Sequence, residues 1–170
     1  MTLIVCAMAD LVDQAEHYRP AGVVSLLNPD QTIPELLINV PRLVLRFNDI
    51  AEPTAGLVSP DLDTVARLLD FAAAFPPEAS LLLHCWMGIS RSPAAAFILA
   101  CVRNPSRPEE ELAHALRLAA PSATPNSLLV SLADDRLGRS GRMSAAIARI
   151  GRGSEASVGE PFALETAGDD

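Results

Sequence analysis

The sequence predicts an α/β fold in which a central sheet of four or five strands, mixed or mostly parallel, is flanked by helices on both faces. Two observations support this prediction. Short apolar runs, which are typical of strands buried on both faces, alternate with helical patterns in the first half of the chain, and only helical patterns follow the last run. The 170 residues are 49% hydrophobic, which is enough to build one core.

The elements follow one another in a simple order. Strand candidates lie at residues 3–8, 23–27, 43–47 and 81–84, with a weaker fifth candidate at 36–40. Helical patterns lie at residues 11–18, 59–75, 93–102, 108–118 and 126–137. The pattern at 59–75 is the clearest, because Ser59 suits an N-cap, Pro60 suits the first turn, and apolar residues recur on one face. Such an order places the chemistry at the carboxyl ends of the strands.

The composition changes after residue 137. From Gly138 the chain is rich in Gly, Ser, Ala and isolated charges, and no apolar face is sustained after Ile150. We therefore assign residues 1–137 to one domain. For residues 138–170 we expect a short helix at 142–150 and a disordered tail beyond it.

Charge and cysteine content argue against several classes of protein. The net charge of −8 disfavours general binding to nucleic acid or to anionic membranes, and no apolar run has the roughly 18 residues of a membrane span. Three cysteines make a disulfide framework unexpected. The first apolar run is too short for an export signal, so we expect a cytoplasmic protein. His17 and His114 have no partners at metal-ligand spacing, so we predict no metal.

The most informative segment is residues 81–93, LLLHCWMGISRSP, which has the pattern of a buried strand, a phosphate-sized loop and the start of a helix. Backbone N–H groups of residues 86–91 can surround a tetrahedral anion, and Gly88 supplies a backbone conformation that other residues resist. The planar fork of Arg91 can bind two phosphate oxygens at once. The helix N-terminus, the loop amides and Arg91 together favour a thiolate at Cys85.

With this segment the chain resembles the cysteine-based protein phosphatases, the superfamily of tyrosine and dual-specificity phosphatases. Their signature, H-C-x-x-x-x-x-R-[ST], is matched by His84, Cys85, Arg91 and Ser92. The resemblance implies the protein-tyrosine-phosphatase-like form of the predicted fold, with residues 1–137 as the phosphatase domain. The match is specific, because it also includes the Gly, the preceding strand and the following helix.

The chain also repeats the bare spacing of the signature at Cys101 and Arg107. That pair lies in a helical pattern, Pro105 removes one N–H group, and no Gly lies between the two residues. We therefore expect no anion-binding loop there.

The resemblance implies a role for each residue of the signature. Cys85 is the expected nucleophile, and Ser92 would hydrogen-bond its sulfur as a phosphoenzyme breaks down, although Ser92 also suits a helix N-cap. His84 would orient the loop, unless it is only a satisfied core residue. The phosphate would be bound by the loop of Trp86, Met87, Gly88, Ile89, Ser90 and Arg91.

A leaving phenolate or alkoxide needs a proton, so a carboxylic acid is expected on a separate loop. Asp49 is the best candidate, because it follows a predicted strand and precedes a segment whose Pro and Gly suggest a movable loop. Glu52, Asp61 and Asp63 are alternatives, although the two aspartates also suit the first turn of a helix. Asn126 is expected to cap the last helix rather than to touch substrate.

We predict that the chain hydrolyses phosphate monoesters through a phosphocysteine intermediate, without a cofactor. The expected substrates are phosphorylated proteins or peptides. Phosphotyrosine is expected first, and dual specificity would add phosphoserine or phosphothreonine. Two other classes stay open: a thiol enzyme of the arsenate reductase or sulfurtransferase type, and a non-catalytic phosphoprotein-binding module. An arsenate reductase recruits further thiols, for which only Cys6 is a candidate, and a sulfurtransferase does not need Asp49.

Overall fold

The computed structural model describes residues 1–33, 35–36 and 38–166 and contains alternating strands and helices. Strands in this part of the chain are Thr2–Ala7 (β1), Gly22–Leu27 (β2), Arg42–Arg46 (β3), Ser80–Cys85 (β4) and Phe162–Glu165 (β5). Its α-helices are Leu11–Tyr18 (α1), Leu62–Ala73 (α2), Arg91–Arg103 (α3), Glu109–Ala119 (α4), Ser127–Arg136 (α5) and Arg142–Ile150 (α6).

The strands form one sheet in the order β3-β2-β4-β1-β5. All neighbours are parallel except β5, which runs antiparallel to β1. The predicted mixed, mostly parallel sheet is therefore confirmed. Because β2, β3 and β4 are parallel, the loops that follow them meet at the same end of the sheet, where the carboxyl ends of these strands lie.

Helices cover both faces of the sheet, which is also as predicted. Alternate residues of β1 enter different apolar clusters, since Leu3 and Val5 lie in the larger cluster and Ile4 in the smaller one. The smaller cluster is completed by Leu11 of α1. The larger cluster contains α3, in which residues 91–101 are all buried, so this helix lies at the centre of the protein.

The start of α2 differs from the prediction. The helix begins at Leu62 with Asp61 as N-cap, and Ser59 lies before it. Asp61 Oδ1 accepts the N–H of Thr64 at 2.8 Å, and Thr64 Oγ1 accepts the N–H of Asp61 at 3.3 Å. This reciprocal capping box satisfies two backbone donors at once, which explains why the helix starts after Asp61.

The predicted strand at 36–40 is wrong for the residues that the structure describes, because residues 36 and 38–40 belong to no strand. Leu37 lies outside the described residues. Leu36, Ile38 and Val40 pack against the smaller apolar cluster, so their apolar character reflects side-chain packing and not strand pairing.

The segment after residue 137 contains the predicted helix and an unpredicted strand. Helix α6 has the expected bounds, and its Met143 and Ile147 are buried in the larger cluster. The expectation of a disordered tail is wrong as far as residue 166, because β5 pairs with the free edge of β1. The outer edge of β1 has unpaired backbone N–H and C=O groups, and β5 forms a strand by hydrogen-bonding to them although it has little apolar surface of its own. Residues 167–170 lie outside the described residues, and the assignment of residues 1–137 as the domain stays a prediction.

The helices of the described chain are too short or too polar to cross a lipid bilayer. The longest of them, α3, has 13 residues.

Candidate active site

Cys85 ends β4 at the edge of the sheet where the loops meet, and the loop of residues 86–90 leads from it into α3. Ser92 Oγ, in the first turn of α3, donates a hydrogen bond to Cys85 Sγ at 3.2 Å. Gly88 has a φ of +70°, and a Cβ at this position would lie 2.8 Å from the backbone nitrogen of Ala7. A residue with a side chain would therefore be both strained and blocked at Gly88, as the sequence predicted.

The backbone of the loop has its carbonyl groups turned outward. The carbonyl oxygens of Trp86, Met87, Ile89 and Ser90 accept, in that order, the N–H groups of Met8 (3.2 Å), Gly159 (2.8 Å), Thr124 (2.8 Å) and Asn126 (3.2 Å). The N–H of a trans peptide points away from its carbonyl, so the amides that follow these carbonyls point into the loop. Within the described residues, the N–H groups of residues 86–91 donate to no protein acceptor. The loop is therefore a ring of free donors around Cys85.

Arg91 closes this ring with a buried guanidinium group, whose side chain is only 4% exposed. Its Nη1 donates to Asn28 Oδ1 at 2.8 Å and to the carbonyl of Phe47 at 3.0 Å. Its Nε is buried without a hydrogen-bond partner and lies 3.9 Å from Asp49 Oδ2. Because buried donors are nearly always paired, this orphaned Nε suggests that the Nε and Nη2 side of the fork serves a bound anion.

Asp49 lies in the same cleft as Cys85, a cavity of about 580 Å³. Its Oδ1 accepts hydrogen bonds from Ser90 Oγ at 2.7 Å and from Asn126 Nδ2 at 2.8 Å. The cleft is lined by Asn28, Asn48, Asp49, Ile50, Leu57, Cys85, Trp86, Met87, Ile89, Ser90, Arg91, Ala156 and Ser157. The structure thus brings the predicted nucleophile, arginine, loop and acid together.

The alternative acids lie elsewhere. Glu52, Asp61 and Asp63 do not line the cleft. Asp61 caps α2, and the hydrogen bonds from Thr64 lower the pKa of its carboxyl, so this group serves the start of the helix.

His84 lies behind the loop and is fully buried. Its Nε2 is 2.8 Å from Ser25 Oγ and 3.4 Å from Arg42 Nη2, and Arg42 Nε donates to the same Ser25 Oγ at 2.8 Å. Burial first, and then the charge of Arg42, lowers the pKa of His84 to about 3. His84 is therefore neutral at physiological pH, which suits the predicted orienting role better than proton transfer.

Several residues of the site were missed by sequence reasoning. Asn28 follows β2 at the same edge of the sheet, a position that could have indicated a role. Ser25 interrupts an otherwise apolar strand, and this polar residue is a weaker signal of the same kind. In the structure Ser25 is fully buried. Asn126 caps α5 as predicted, accepting the N–H of Leu129 at 2.8 Å, but its contact with Asp49 had no signal in the sequence.

The other two thiols of the described chain are buried and unpaired. Burial is the main cause that raises the pKa of Cys6, and likewise that of Cys101, to about 12. Both groups are therefore neutral thiols at physiological pH. Among the described residues, no group of three or more His, Cys, Asp or Glu side chains is arranged to hold a metal ion.

Comparison with solved structures identifies the fold. The crystal structure of DUSP15 matches with 16% sequence identity and a TM-score of 0.63, over 86% of this chain and 90% of that one. Human DUSP28 matches with 18% identity and a TM-score of 0.60, over 86% and 94% of the two chains. The Yvh1 phosphatase domain from Chaetomium thermophilum matches with 19% identity and a TM-score of 0.59, over 83% and 93%.

The chain has the fold of these phosphatases. No family model matches the sequence, and no curated protein matches it. At identities below 20%, this likeness shows the fold alone.

Proposed function

We propose that this protein is a phosphatase that hydrolyses phosphate monoesters through a phosphocysteine intermediate. The observation that carries the proposal is the ring of free backbone donors around Cys85. Arg91 closes the ring with a guanidinium group whose Nη1 is hydrogen-bonded and whose Nε has no hydrogen-bond partner. Such a ring has the size and charge to hold a tetrahedral phosphate against the sulfur. The phosphatases that share the fold support the same reaction class.

In the first step, the thiolate of Cys85 attacks phosphorus, so that an S–P bond forms as the P–O bond to the leaving group breaks. Arg91 and the loop amides stabilise the negative charge on the three equatorial oxygens. Asp49, on the opposite loop of the cleft, gives its proton to the leaving oxygen.

In the second step, Asp49 acts as the base. It takes a proton from a water molecule, whose oxygen attacks phosphorus and displaces the sulfur of Cys85 as a thiolate. The hydrogen bond from Ser92 Oγ, 3.2 Å from Sγ, stabilises that departing sulfur. Inorganic phosphate leaves, and Asp49 is protonated for the next turnover.

The cleft favours a single phosphate on an apolar or aromatic carrier. Among its lining residues, Arg91 is the only cation, and its guanidinium belongs to the phosphate loop. Its rim includes Leu57, which is 44% exposed, and Trp86, which is 54% exposed. We therefore propose phosphotyrosine in proteins or peptides as the main substrate, with phosphoserine and phosphothreonine as weaker ones. A polyphosphorylated inositol ring would need further cations at this rim.

Two other thiol chemistries fit the site less well. An arsenate reductase needs a second reactive thiol, and Cys6 is a buried neutral thiol with a pKa of about 12. A sulfurtransferase has no use for a carboxylate held in the cleft as Asp49 is. A non-catalytic binding module has no need of the nucleophile, and Cys85 and Arg91 are both present. A thiolate nucleophile resists oxidation best in a reducing compartment, so we place the enzyme in the cytoplasm.

The decisive experiment is to trap the intermediate. The full-length protein is mixed with an aryl phosphate in the presence of a chelator, quenched in acid, digested and analysed by mass spectrometry. We expect turnover without metal, inhibition by vanadate, and one phosphate on the peptide that contains Cys85. Phosphate on another residue, or a strict need for metal, contradicts the mechanism. Binding of a phosphopeptide without turnover would favour the binding module, and thiocyanate production from thiosulfate and cyanide would favour a sulfurtransferase.

A further inference from the structure

The carboxylate of Asp49 is held from one side by two side chains that take no direct part in the proposed phosphoryl transfer. We infer that Asn126, together with Ser90, is a positioning residue that fixes Asp49 before substrate binds and selects Oδ2 as the oxygen that carries the transferred proton. This inference rests on the proposed function, because it assigns a role in proton transfer by Asp49.

Asn126 is buried, with 5% of its surface exposed, and the direction of its amide is determined by its contacts. Its Oδ1 accepts the N–H of Leu129 at 2.8 Å, as an N-cap must. The NH₂ group therefore faces the other way, where it donates to Asp49 Oδ1 at 2.8 Å and to the carbonyl of Ile50 at 3.0 Å. A reversed amide would place an oxygen against two acceptors, so the network allows only this orientation.

Ser90 provides the second contact. Its hydroxyl donates to Asp49 Oδ1 at 2.7 Å, and its carbonyl accepts the N–H of Asn126 at 3.2 Å. The three residues form a triangle that joins the phosphate loop, the loop after β3 and the start of α5. Ser90 is the N-cap of α3, yet its side chain makes no capping hydrogen bond, so its hydroxyl is available to Asp49.

Two donors on one oxygen decide where a proton can sit. An oxygen of a carboxyl group has two lone pairs, and both lone pairs of Asp49 Oδ1 are engaged by Ser90 and Asn126. A proton on the carboxyl group must then be on Oδ2. Oδ2 is also the oxygen that lies 3.9 Å from Arg91 Nε, on the side where the phosphate binds. The two contacts thus present the proton toward the phosphate.

The same contacts hold the start of the acid loop in place. Asn126 binds both Asp49 and the carbonyl of Ile50, whereas residues 51–58 that follow are exposed. The sequence suggested a movable loop, but any motion of this exposed part starts after the acid. The acid therefore needs no loop closure to reach the site.

Capping of α5 does not by itself require asparagine. Serine caps helices about as well, because capping uses only an acceptor oxygen. The variant Asn126→Ser keeps an acceptor for Leu129 and removes both amide N–H donors to the acid loop, because the serine hydroxyl takes the place of the amide carbon and ends one bond short of the lost nitrogen. The variant therefore separates positioning from helix capping. Ser127→Ala is the matched control, because Ser127 is the exposed next residue of the same helix start.

The experiment compares turnover of phosphotyrosine with turnover of an activated aryl phosphate whose leaving group needs no proton. We expect Asn126→Ser to lower kcat for phosphotyrosine by about 10- to 100-fold, part of what general acid catalysis contributes, with a much smaller loss on the activated ester and little change in KM. Ser90→Ala should show the same pattern, and it remains informative if Asn126→Ser does not fold. Ser127→Ala should match the wild type.

A double-mutant cycle with Asp49→Asn gives the strictest test. If Asn126 acts through Asp49, Asn126→Ser adds little further loss in the Asp49→Asn background. Equal losses on both esters, or losses that add fully in the cycle, overturn the inference and leave Asn126 a structural residue. The proposed function fails separately, if Asp49→Asn itself shows no dependence on the leaving group or if the wild type has no phosphatase activity.

Discussion

The chain contains a cysteine and an arginine at the same spacing twice, and the structure gives the two pairs opposite surroundings. Cys85 ends a strand, and Arg91 turns back over it from the start of α3. Cys101 lies inside the last turns of the same helix, and Arg107 lies on the surface, where its Nε is 3.8 Å from Glu111. Spacing alone is therefore uninformative, and the strand–loop–helix unit around Cys85 makes the difference.

The two cysteines also lie at opposite ends of one helix dipole. The sulfur of Cys85 accepts the hydrogen bond of Ser92 in the N-terminal turn of α3, which is the end of the helix with partial positive charge. Cys101 lies in the C-terminal turns, and burial together with the charge of Glu109 raises the pKa of its thiol to about 12. One helix thus has the proposed nucleophile at one end and a buried neutral thiol at the other.

The largest expected effect separates the two cysteines. Cys85→Ser should abolish hydrolysis of an aryl phosphate, because a hydroxyl group is a far weaker nucleophile than a thiolate. Cys101→Ala should retain activity and lose about 1 kcal/mol of stability from the small cavity it leaves. Steady-state kinetics and chemical denaturation measure both. Normal activity of Cys85→Ser, or loss of activity in a folded Cys101→Ala, would reverse the comparison.

Substitutions of Arg91 and Arg107 should differ almost as strongly in their effect on turnover. Arg91→Lys keeps the charge but loses the fork that matches two oxygens, so we expect a fall in kcat of at least ~100-fold, the scale of losing one transition-state donor. Arg107→Lys, at the surface, should be indistinguishable from the wild type. Affinity for vanadate should fall in parallel for Arg91→Lys. Wild-type kinetics in that variant would refute the proposed phosphate-binding geometry.

The proposed general acid is a further difference between the two cysteines, because Asp49 lies in the cleft of Cys85 and no catalytic carboxylate is proposed near Cys101. Asp49→Asn should lower turnover strongly for phosphotyrosine and much less for an activated ester. The decline of the rate toward high pH should also flatten, since it reports loss of the proton from the acid. Asp61→Asn, Asp63→Asn and Glu52→Gln serve as controls. If one of them shows the dependence on leaving group instead, the acid is misassigned although the reaction class stands.

The last effect concerns His84, the neighbour of Cys85, and it bears on stability and not on turnover. Its pKa is about 3 in the folded protein against an ordinary value of 6.5, so the unfolded chain binds the proton first as pH falls. Stability should therefore be lost from about pH 6.5 downward, with a slope of up to about 1.4 kcal/mol per pH unit from this group. His84→Gln should reduce that slope in denaturant titrations at several pH values. The exposed His114, changed to Gln, is the control, and an unchanged slope in His84→Gln would contradict the buried neutral imidazole.

The site could be predicted where its signals are local in the chain. An apolar run, Gly88 in a left-handed conformation and the start of a helix lie within a few residues of Cys85, so short-range sterics and hydrogen bonding already specify the loop. The position of Asp49 could be predicted in a similar way, because a residue that follows a parallel strand must lie at the end of the sheet where the loops meet.

The partners of that loop depend on how distant segments pack. Arg91 binds Asn28, which is 63 residues away, and Asp49 binds Asn126, which is 77 residues away. No periodicity or spacing indicates such contacts, because each residue also has an ordinary role in a turn or a helix cap. Strand β5 also depends on a distant segment, since its four residues form a strand by pairing with the edge of β1. Local chemistry therefore specifies the loop around Cys85, whereas the folded chain decides what holds Arg91 and Asp49 in place.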